Sequence, residues 1–259
     1  FPYVGSLNGE GTYSNNEELL ESDLLVGVAE GQLGNPFLKW ETTSTGNIGI
    51  DVSLLDNKIS FNLDVFQKTT DDLLIQPQSS GLTGVAGIGS SAPAINAGTV
   101  ENSGVEFLIS YRDQFSENFN FNTSFNFTTI NNNVTYVGNL AGFEQGGGFG
   151  VGTGIVTSRM EAGHSLGYFY GYKTNGIYQN QGEIDVLNAG ATSNENIYHT
   201  GAGVGDLRFV DTNGDGYISE VDKTDIGDPI ADITAGLNLG FSFKKIDFNA
   251  SAIGSFGNN

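Results

Sequence analysis

The sequence predicts an all-β protein, specifically a segment of an antiparallel β-barrel that crosses a membrane. Three observations predict it. Runs of strand length alternate apolar with neutral polar residues, tight turns alternate with long loops, and no charged residue lies on the apolar face of the runs. The clearest run, residues 118–129, places Phe on one face and Asn or Ser on the other. That run by itself is equally typical of a β-sandwich strand with a Phe-rich core.

Composition narrows the class of protein further. The 259 residues are 38% hydrophobic, and no apolar run is long enough to predict a membrane-spanning helix. Lys and Arg total 10 against 30 Asp and Glu, a net charge of −20. Such a chain is a poor partner for nucleic acid, because phosphate binding needs clustered cations. The absence of Cys excludes a disulfide framework and a thiol nucleophile.

The chain opens with an acidic connection over residues 1–45. Within it, the spacing of Leu20, Leu24 and Val28 predicts a short amphipathic helix. Trp40 precedes the first predicted strand, where it fits either an interfacial aromatic belt or a loop anchor. The chain begins at Phe1 without an initiator Met or a signal sequence, so we expect a segment of a longer protein without a plug domain.

Two hairpins follow in the first half of the chain. In the first, Asp56 and Asn57 form the turn, since both tolerate left-handed backbone. Its apolar face consists of Ile48, Ile50, Val52 and Leu54 on the outgoing strand, and Phe61, Leu63 and Val65 on the return strand. The second hairpin turns through residues 112–117 and returns along 118–129. Its outgoing strand presents Val105, Phe107, Ile109 and Tyr111 on one face.

Two more hairpins are predicted in the second half. The third runs from 155 to 161 and returns over 168–172, where Tyr168, Tyr170 and Tyr172 share a face and predict an aromatic girdle. The fourth runs from 233 to 252 around a turn at Lys244 and Lys245. Long loops are expected at about 1–45, 69–100, 131–153 and 177–231, and 73–75 is a possible short strand inside one of them.

The sorting of the connections distinguishes a barrel from a sandwich. Short turns and long loops alternate strictly, as in outer-membrane barrels with tight periplasmic turns and long extracellular loops. About eight strands of roughly ten residues match the length that a tilted strand needs to cross a bilayer. A sandwich gives no reason for this sorting, so the sequence favours the membrane barrel.

One acidic loop has the spacing of a calcium site. Residues 211–222 place oxygen ligands at positions 1, 3, 5, 7, 9 and 12 of an EF-hand-type loop, with Gly216 at the sharp turn. Position 12 is Asp rather than Glu, and its shorter side chain weakens binding. The alternative is an Asp- and Gly-rich turn without metal. The predicted Ca²⁺ ligands are Asp211, Asn213, Asp215, Tyr217 through its carbonyl, Ser219 and Asp222.

Other motifs predict no chemistry. The glycines of 146–152 lack the following helix that a dinucleotide fold requires. His164 and His199 are far apart in the sequence, which makes a catalytic triad or a zinc site improbable. An enzyme would need paired carboxylates in a cleft, whereas Asp51, Asp64 and Glu106 look isolated on the strands.

Several stretches, taken in order, resemble one family. They are residues 35–41 (NPFLKWE), 96–107 (NAGTVENSGVEF), 167–172 (GYFYGY) with 176–178, and 205–216 (GDLRFVDTNGDG) leading to 226–229. Together they resemble the C-terminal barrel part of SusC/RagA-type TonB-dependent transporters of the Bacteroidetes outer membrane. The acidic loop 211–222 of this chain is similar to a calcium-binding loop found in that family.

The resemblance implies a piece of a larger barrel of about 22 strands with a plugged lumen. It also implies import of oligosaccharides or peptides, a SusD-like surface lipoprotein as partner, contact with outer-membrane lipid, and energy coupling through TonB by the missing N-terminal part. The sequence leaves two alternatives open, a secreted calcium-binding β-sandwich or adhesin and a calcium-dependent glycan hydrolase. The first is distinguished by whether the apolar strand faces are exposed or buried.

Overall fold

The computed structural model describes residues 7–14, 24–30, 34–76, 93–146, 156–193, 195 and 197–258, with side chains from residue 34 onward. Its regular secondary structure is mostly β-strand. In chain order the elements are β1 (Leu7–Ser14), β2 (Leu24–Glu30), β3 (Thr42–Leu54), β4 (Ile59–Ile75), β5 (Ile95–Ser116), β6 (Phe119–Val137), β7 (Phe143–Gln145), β8 (Ser158–Glu161), β9 (Tyr168–Tyr172), β10 (Thr174–Ile177), α1 (Gln181–Ala189), β11 (Leu207–Phe209), a 3₁₀ turn (Glu220–Asp222), β12 (Lys223–Asp225), β13 (Ile233–Phe243) and β14 (Ile246–Phe256).

The main feature is an antiparallel sheet of six strands, which we call the wall. Its order is β14-β13-β6-β5-β4-β3, and consecutive strands pair in register over nearly their whole length. The sheet is open at β3 and at β14 within the described residues. The fold class predicted from alternation is therefore confirmed, as an unclosed part of a barrel.

Tight turns connect the wall strands at one end. Leu55, Asp56 and Asn57 adopt left-handed backbone with φ of 54°, 55° and 64°, and the amide of Lys58 donates to the carbonyl of Leu55 at 3.1 Å. Lys244 is also left-handed, with φ of 56°. The turns predicted at Asp56–Asn57 and at Lys244–Lys245 are confirmed. The middle turn is confined to residues 117–118, at the end of the predicted range 112–117, because β5 extends to Ser116.

The wall strands are longer than the sequence pattern indicated. β4 has 17 residues, β5 has 22 and β6 has 19, against about ten for crossing a bilayer. Parts of the predicted loops 69–100 and 131–153 are therefore strand, and residues 73–75 are the end of β4. The sequence missed these extensions because apolar alternation stops where the strands leave the lipid, although main-chain pairing continues.

The predicted third hairpin does not belong to the wall. β8 and β9 have only 4 and 5 residues and join a separate sheet of order β12-β9-β8-β7, which we call the cap sheet. Tyr168 is 1% exposed, so the predicted aromatic girdle of Tyr168, Tyr170 and Tyr172 is wrong. The wall accordingly contains six of the eight predicted crossing strands, since segments this short cannot span a bilayer.

A small hydrophobic core joins the cap sheet to the long-loop end of the wall. It contains Ile75, Ala97, Val100, Val134 and Met160. The β8–β9 turn adds main-chain pairing, since the Val134 amide donates to the His164 carbonyl and the Gly163 amide donates to the Val134 carbonyl, both at 2.8 Å. This turn therefore lies at the end opposite the three tight wall turns. The prediction that all short turns lie at one end and all long loops at the other is wrong for this turn.

The N-terminal strands also differ from expectation. Residues 24–30 form β2, which pairs antiparallel with β1, so the helix predicted from Leu20, Leu24 and Val28 is wrong over its described part. A run of Leu, Val and Ala with two Val suits a pleated strand as well as a helix, and cross-strand pairing decides between them.

The long connection between β9 and β12 contains the helix α1. The side chain of Asn180 caps it by accepting from the Glu183 amide at 3.2 Å. Next to it β10 pairs antiparallel with β11. In the described part of the chain, no helix has the length and apolar character required to span a membrane.

Candidate functional site

The outward face of the wall is apolar and exposed. The β3, β4 and β5 register aligns Ile50 with Leu63 and Phe107 in one row. Ile50 is 55% exposed and Leu237 is 47% exposed, although a β-sandwich would bury both. The observation that distinguishes a barrel from a sandwich therefore favours the barrel.

Aromatic rings extend this face from strand to strand. The ring of Phe107 lies 5.4 Å from that of Phe61 and 5.2 Å from that of Phe127. Phe241 and Phe248 stack at 5.1 Å across the last hairpin. Such pairs stabilise neighbouring strands beyond their buried area. The result is a continuous apolar band.

The opposite face of the wall is polar and mostly uncharged. Ser60 and Ser110 share a hydrogen bond of 2.5 Å. Ser251 donates to Asn238 at 2.7 Å, and the Asn238 amide donates to Ser124 at 3.3 Å. These cross-strand bonds join the amide and hydroxyl groups of neighbouring strands. The face therefore offers hydrogen-bonding groups with little net charge.

One pair of acids on the polar face was missed by sequence reasoning. Asp64 and Glu106 were predicted to be isolated, but the β4–β5 register places them directly opposite each other. The side-chain amide of Asn47 donates to the Asp64 carboxylate at 3.2 Å. Both acids lie on an open wall face, whereas acid–base catalysis would require a cleft around the substrate.

The acidic loop brings three of its predicted ligands together. Ligand oxygens of Asp211, Asp215 and Asp222 all lie within 4.8 Å of one another. Asp211 accepts hydrogen bonds from the amides of Gly214 at 2.6 Å and Gly216 at 2.7 Å. Gly216 has φ of +87°, the left-handed backbone that the sharp turn requires. The sharp turn therefore lies at Gly216, where the spacing placed it, and three of the six predicted ligands share one cluster.

Asp222 anchors this cluster and is fully buried, at 0% exposure. It accepts from the amides of Thr212 at 2.9 Å and Ser219 at 2.7 Å. Burial by itself would raise the pKa of Asp222, but the amide donors of Ser219, Thr212 and Asn213 outweigh burial and lower that pKa below its ordinary value. The carboxylate is therefore charged at neutral pH.

The other predicted ligands have different contacts. Asn213 accepts from the Asp215 amide at 2.8 Å and donates to the Asp215 carboxylate at 2.9 Å. The Tyr217 amide donates to Asp215 at 3.2 Å, and the Ser219 hydroxyl donates to Asp222 at 3.4 Å. All three residues contact the carboxylates of the cluster, Asn213 and Ser219 through their side chains and Tyr217 through its main-chain amide.

Two residues outside the motif hold the loop in place, and no sequence pattern indicated either of them. The Thr192 hydroxyl donates to the carbonyl of Asp215. The Tyr198 hydroxyl accepts from the Asp211 amide at 3.2 Å, and the Tyr198 carbonyl accepts from the Ile218 amide at 2.6 Å. The loop is thus tied to the segment that follows α1.

The two histidines lie in separate surroundings. His164 bonds to Asp225 at 2.9 Å and stacks on Tyr168 at 4.3 Å. His199 packs 4.9 Å from the Phe209 ring, and burial lowers its pKa. Its Nδ1 is buried without a hydrogen-bond partner among the described residues. Neither arrangement is a triad. Most of the glycine run 146–152 lies outside the described residues.

Comparisons with known proteins agree with this geometry. The family model described as TonB dependent receptor-like, beta-barrel matches residues 4–253. The TonB-dependent receptor P39 of Formosa agariphila is 32% identical over 262 aligned positions, which cover 90% of this chain and 24% of that protein. The TonB-dependent receptor SusC of Bacteroides thetaiotaomicron is 30% identical over 224 positions, 86% of this chain and 20% of SusC.

Solved structures show the same fold. A structure of the RagAB peptide importer in the closed-closed state matches with a TM-score of 0.69 at 21% identity, covering 100% of this chain and 25% of that one. Its open-open state matches with a TM-score of 0.66. The chain spans about a quarter or less of the length of these relatives.

Proposed function

The chain belongs to the TonB dependent receptor-like β-barrel family, located in the bacterial outer membrane, and from this premise we propose that it forms part of the wall of a nutrient importer. The observation that carries the proposal is a single-layer sheet with an exposed apolar face and a polar opposite face. Solute would pass along the polar face, with lipid against the other. Its role is gated passage rather than covalent chemistry.

The partners follow from the relatives as part of the same proposal. One relative is named SusC, and the structural neighbours are described as a peptide importer, RagAB. We propose an oligosaccharide or a peptide as substrate, a SusD-like surface lipoprotein at the long-loop end, and coupling to TonB through the rest of the protein. The net charge of −20 argues against nucleic acid as substrate.

Calcium at the acidic loop is a further part of the proposal. Three carboxylates whose ligand oxygens lie within 4.8 Å of one another repel each other unless a cation is present. No Lys or Arg forms an ion pair with Asp211, Asp215 or Asp222 in the described part of the chain. Oxygen-only ligands suit Ca²⁺, which would stabilise the longest loop.

Spin labelling tests the two-faced wall in the full-length transporter. The chain contains no Cys, so Phe125→Cys and Asn126→Cys each add a single labelling position here. These neighbours point to opposite faces of β6. We expect the label at 125 to relax faster with lipid-soluble oxygen and the label at 126 with a water-soluble nickel chelate.

A sandwich would give the opposite pattern at one position. There the label at 125 would be protected from both reagents, because Phe125 would be sealed between two sheets. That result would remove the importer proposal together with its membrane location.

A further inference from the structure

A groove crosses the outward face of the wall where its character changes from apolar to polar. It has a volume of about 880 Å³ and extends over β3, β4, β5, β6 and β13. The groove is shallow and open, so an occupant would lie along the sheet and not be enclosed. We call it the boundary groove.

The membrane side of the boundary groove is apolar. The register aligns Ile48, Val65, Val105 and Ile233 in one row, with Thr129 between the last two. Ile48 is 79% exposed. This row is the last apolar row of the band that faces lipid, so the floor of the groove is continuous with the lipid-facing surface.

The next row on the same face is polar. Two residues farther along each strand, the side chains are Gln67, Ser103 and Asn131, and β3 has Gly46. Because successive side chains alternate faces, these groups point the same way as the apolar row. An occupant of the groove would therefore contact apolar side chains at one end and amide and hydroxyl groups at the other.

Charge restricts the occupant further. Among the described residues that line the groove there is no Lys or Arg. A phosphate group would therefore find no cation to balance its charge here. A neutral headgroup rich in hydroxyls would find both donors and acceptors.

We propose that the boundary groove binds a membrane glycolipid with an uncharged sugar headgroup. Its acyl chains lie on the row of Ile48, Val65 and Val105, and its sugar hydroxyls bond to Gln67, Ser103 and Asn131. Continuity with the lipid-facing band favours a membrane lipid over a soluble sugar, because the occupant reaches the groove within the bilayer.

Native mass spectrometry of the full-length transporter tests this proposal with two probes of equal chain length, a monoglucosyl diacylglycerol and phosphatidylglycerol. Gly46→Phe fills the groove, since a Cβ at Gly46 meets no atom within 4 Å. Ser44→Phe is the matched control, one row farther from the membrane on the same strand face and outside the groove. Folding of each variant is checked by heat modifiability.

We expect the native protein to bind the glucosyl lipid about tenfold more tightly than phosphatidylglycerol, the equivalent of one or two hydrogen bonds. Gly46→Phe should lose that binding, whereas Ser44→Phe should retain it. Asn131→Leu, which leaves the groove open, should bind both lipids equally. Equal affinity of the native protein for the two lipids, or unchanged binding by Gly46→Phe, would overturn the proposal.

Discussion

Asp222 is the residue on which the acidic loop depends. Its carboxylate accepts from three amides of the loop and contributes to the cluster with Asp211 and Asp215. Because its pKa is lowered in the folded state, its stabilising effect is fully present above the unfolded pKa of about 4 and is lost as pH falls below it.

Asp222→Asn should therefore weaken metal binding while leaving the loop close to its shape. In the full-length transporter, Tb³⁺ luminescence excited through Tyr217 reports occupancy of the loop. We expect affinity to fall about tenfold or more, since one carboxylate ligand is lost. Glu195→Gln, outside the cluster, should bind as the native protein does. Equal binding by Asp222→Asn would rule out the loop as the calcium site.

We predict that the segment around β10 and β11 loses stability as pH falls, because it contains His199. Burial lowers its pKa, so the unfolded segment takes up a proton first as pH falls below about 6.5. Stability contributed by the neutral ring is present above that pH and lost below it. We expect hydrogen exchange in residues 197–210, corrected for intrinsic rates, to speed up between pH 7.5 and 5.5.

His199→Phe provides the control for that response. Its ring can pack beside Phe209 but cannot be protonated, so the acid-induced change in exchange should disappear. If the variant and the native protein respond alike, another group controls this segment.

At the scale of elements, adjacent residues of a wall strand point to opposite faces, one toward lipid and one toward water. Ile50 lies in the row with Leu63 and Phe107, near the middle of the apolar band, and Asp51 points to the polar face. We expect Ile50→Arg to destabilise the barrel by about 2–4 kcal/mol, because Arg near the bilayer midplane is costly. The folded fraction in outer membranes, measured by heat modifiability, should fall.

Asp51→Arg is the matched substitution on the neighbouring position. The variant loses the hydrogen bond that Asn62 donates to Asp51. The charged Arg side chain remains in water, however, so we expect a folded fraction near that of the native protein. Comparable losses in the two variants would contradict the assignment of the faces.

Alternation in the sequence was sufficient for the strands that cross lipid. The apolar residues from Ile48 to Leu54 on β3 and from Phe119 to Phe127 on β6 lie on the face that the alternation predicted. It failed for β8 and β9, because Tyr168 and Tyr170 alternate like a crossing strand although they join the cap sheet. Periodicity reports that one face is buried, but it does not report which sheet covers that face.

The acidic loop shows a similar division. Spacing within residues 211–222 was enough to bring Asp211, Asp215 and Asp222 together, because the turn glycines and the Asp side chains act locally. Thr192 and Tyr198 could not be predicted, since their contacts depend on how the chain returns past α1. The helix itself had a sequence signal in Asn180 and Glu183, which match an N-terminal cap.

At the scale of the whole molecule, the wall does not close on itself within the described residues. The wall ends at β3 and β14, and such free edges require neighbouring strands to satisfy their main-chain groups. The structural relatives are about four times as long, which is consistent with a barrel completed by the rest of the protein.

Trp40 lies eight residues ahead of Ile48, far from the apolar band, and the neighbouring Lys39 amide bonds to Asn96 at 2.8 Å. Trp40 itself is 80% exposed, which does not fit a loop anchor packed on its neighbours, so neither alternative for Trp40 is favoured.

The length of β5 sets a spacing for whatever assembles above it. From Val105, in the last apolar row, the strand continues to Ile95, which raises its end roughly 25 Å above the lipid for a tilted strand. The surface lipoprotein proposed above, placed on this rim with its acyl anchor in the bilayer, would need a tether to cover that height. At about 3.5 Å per extended residue, the tether must contain at least about seven residues.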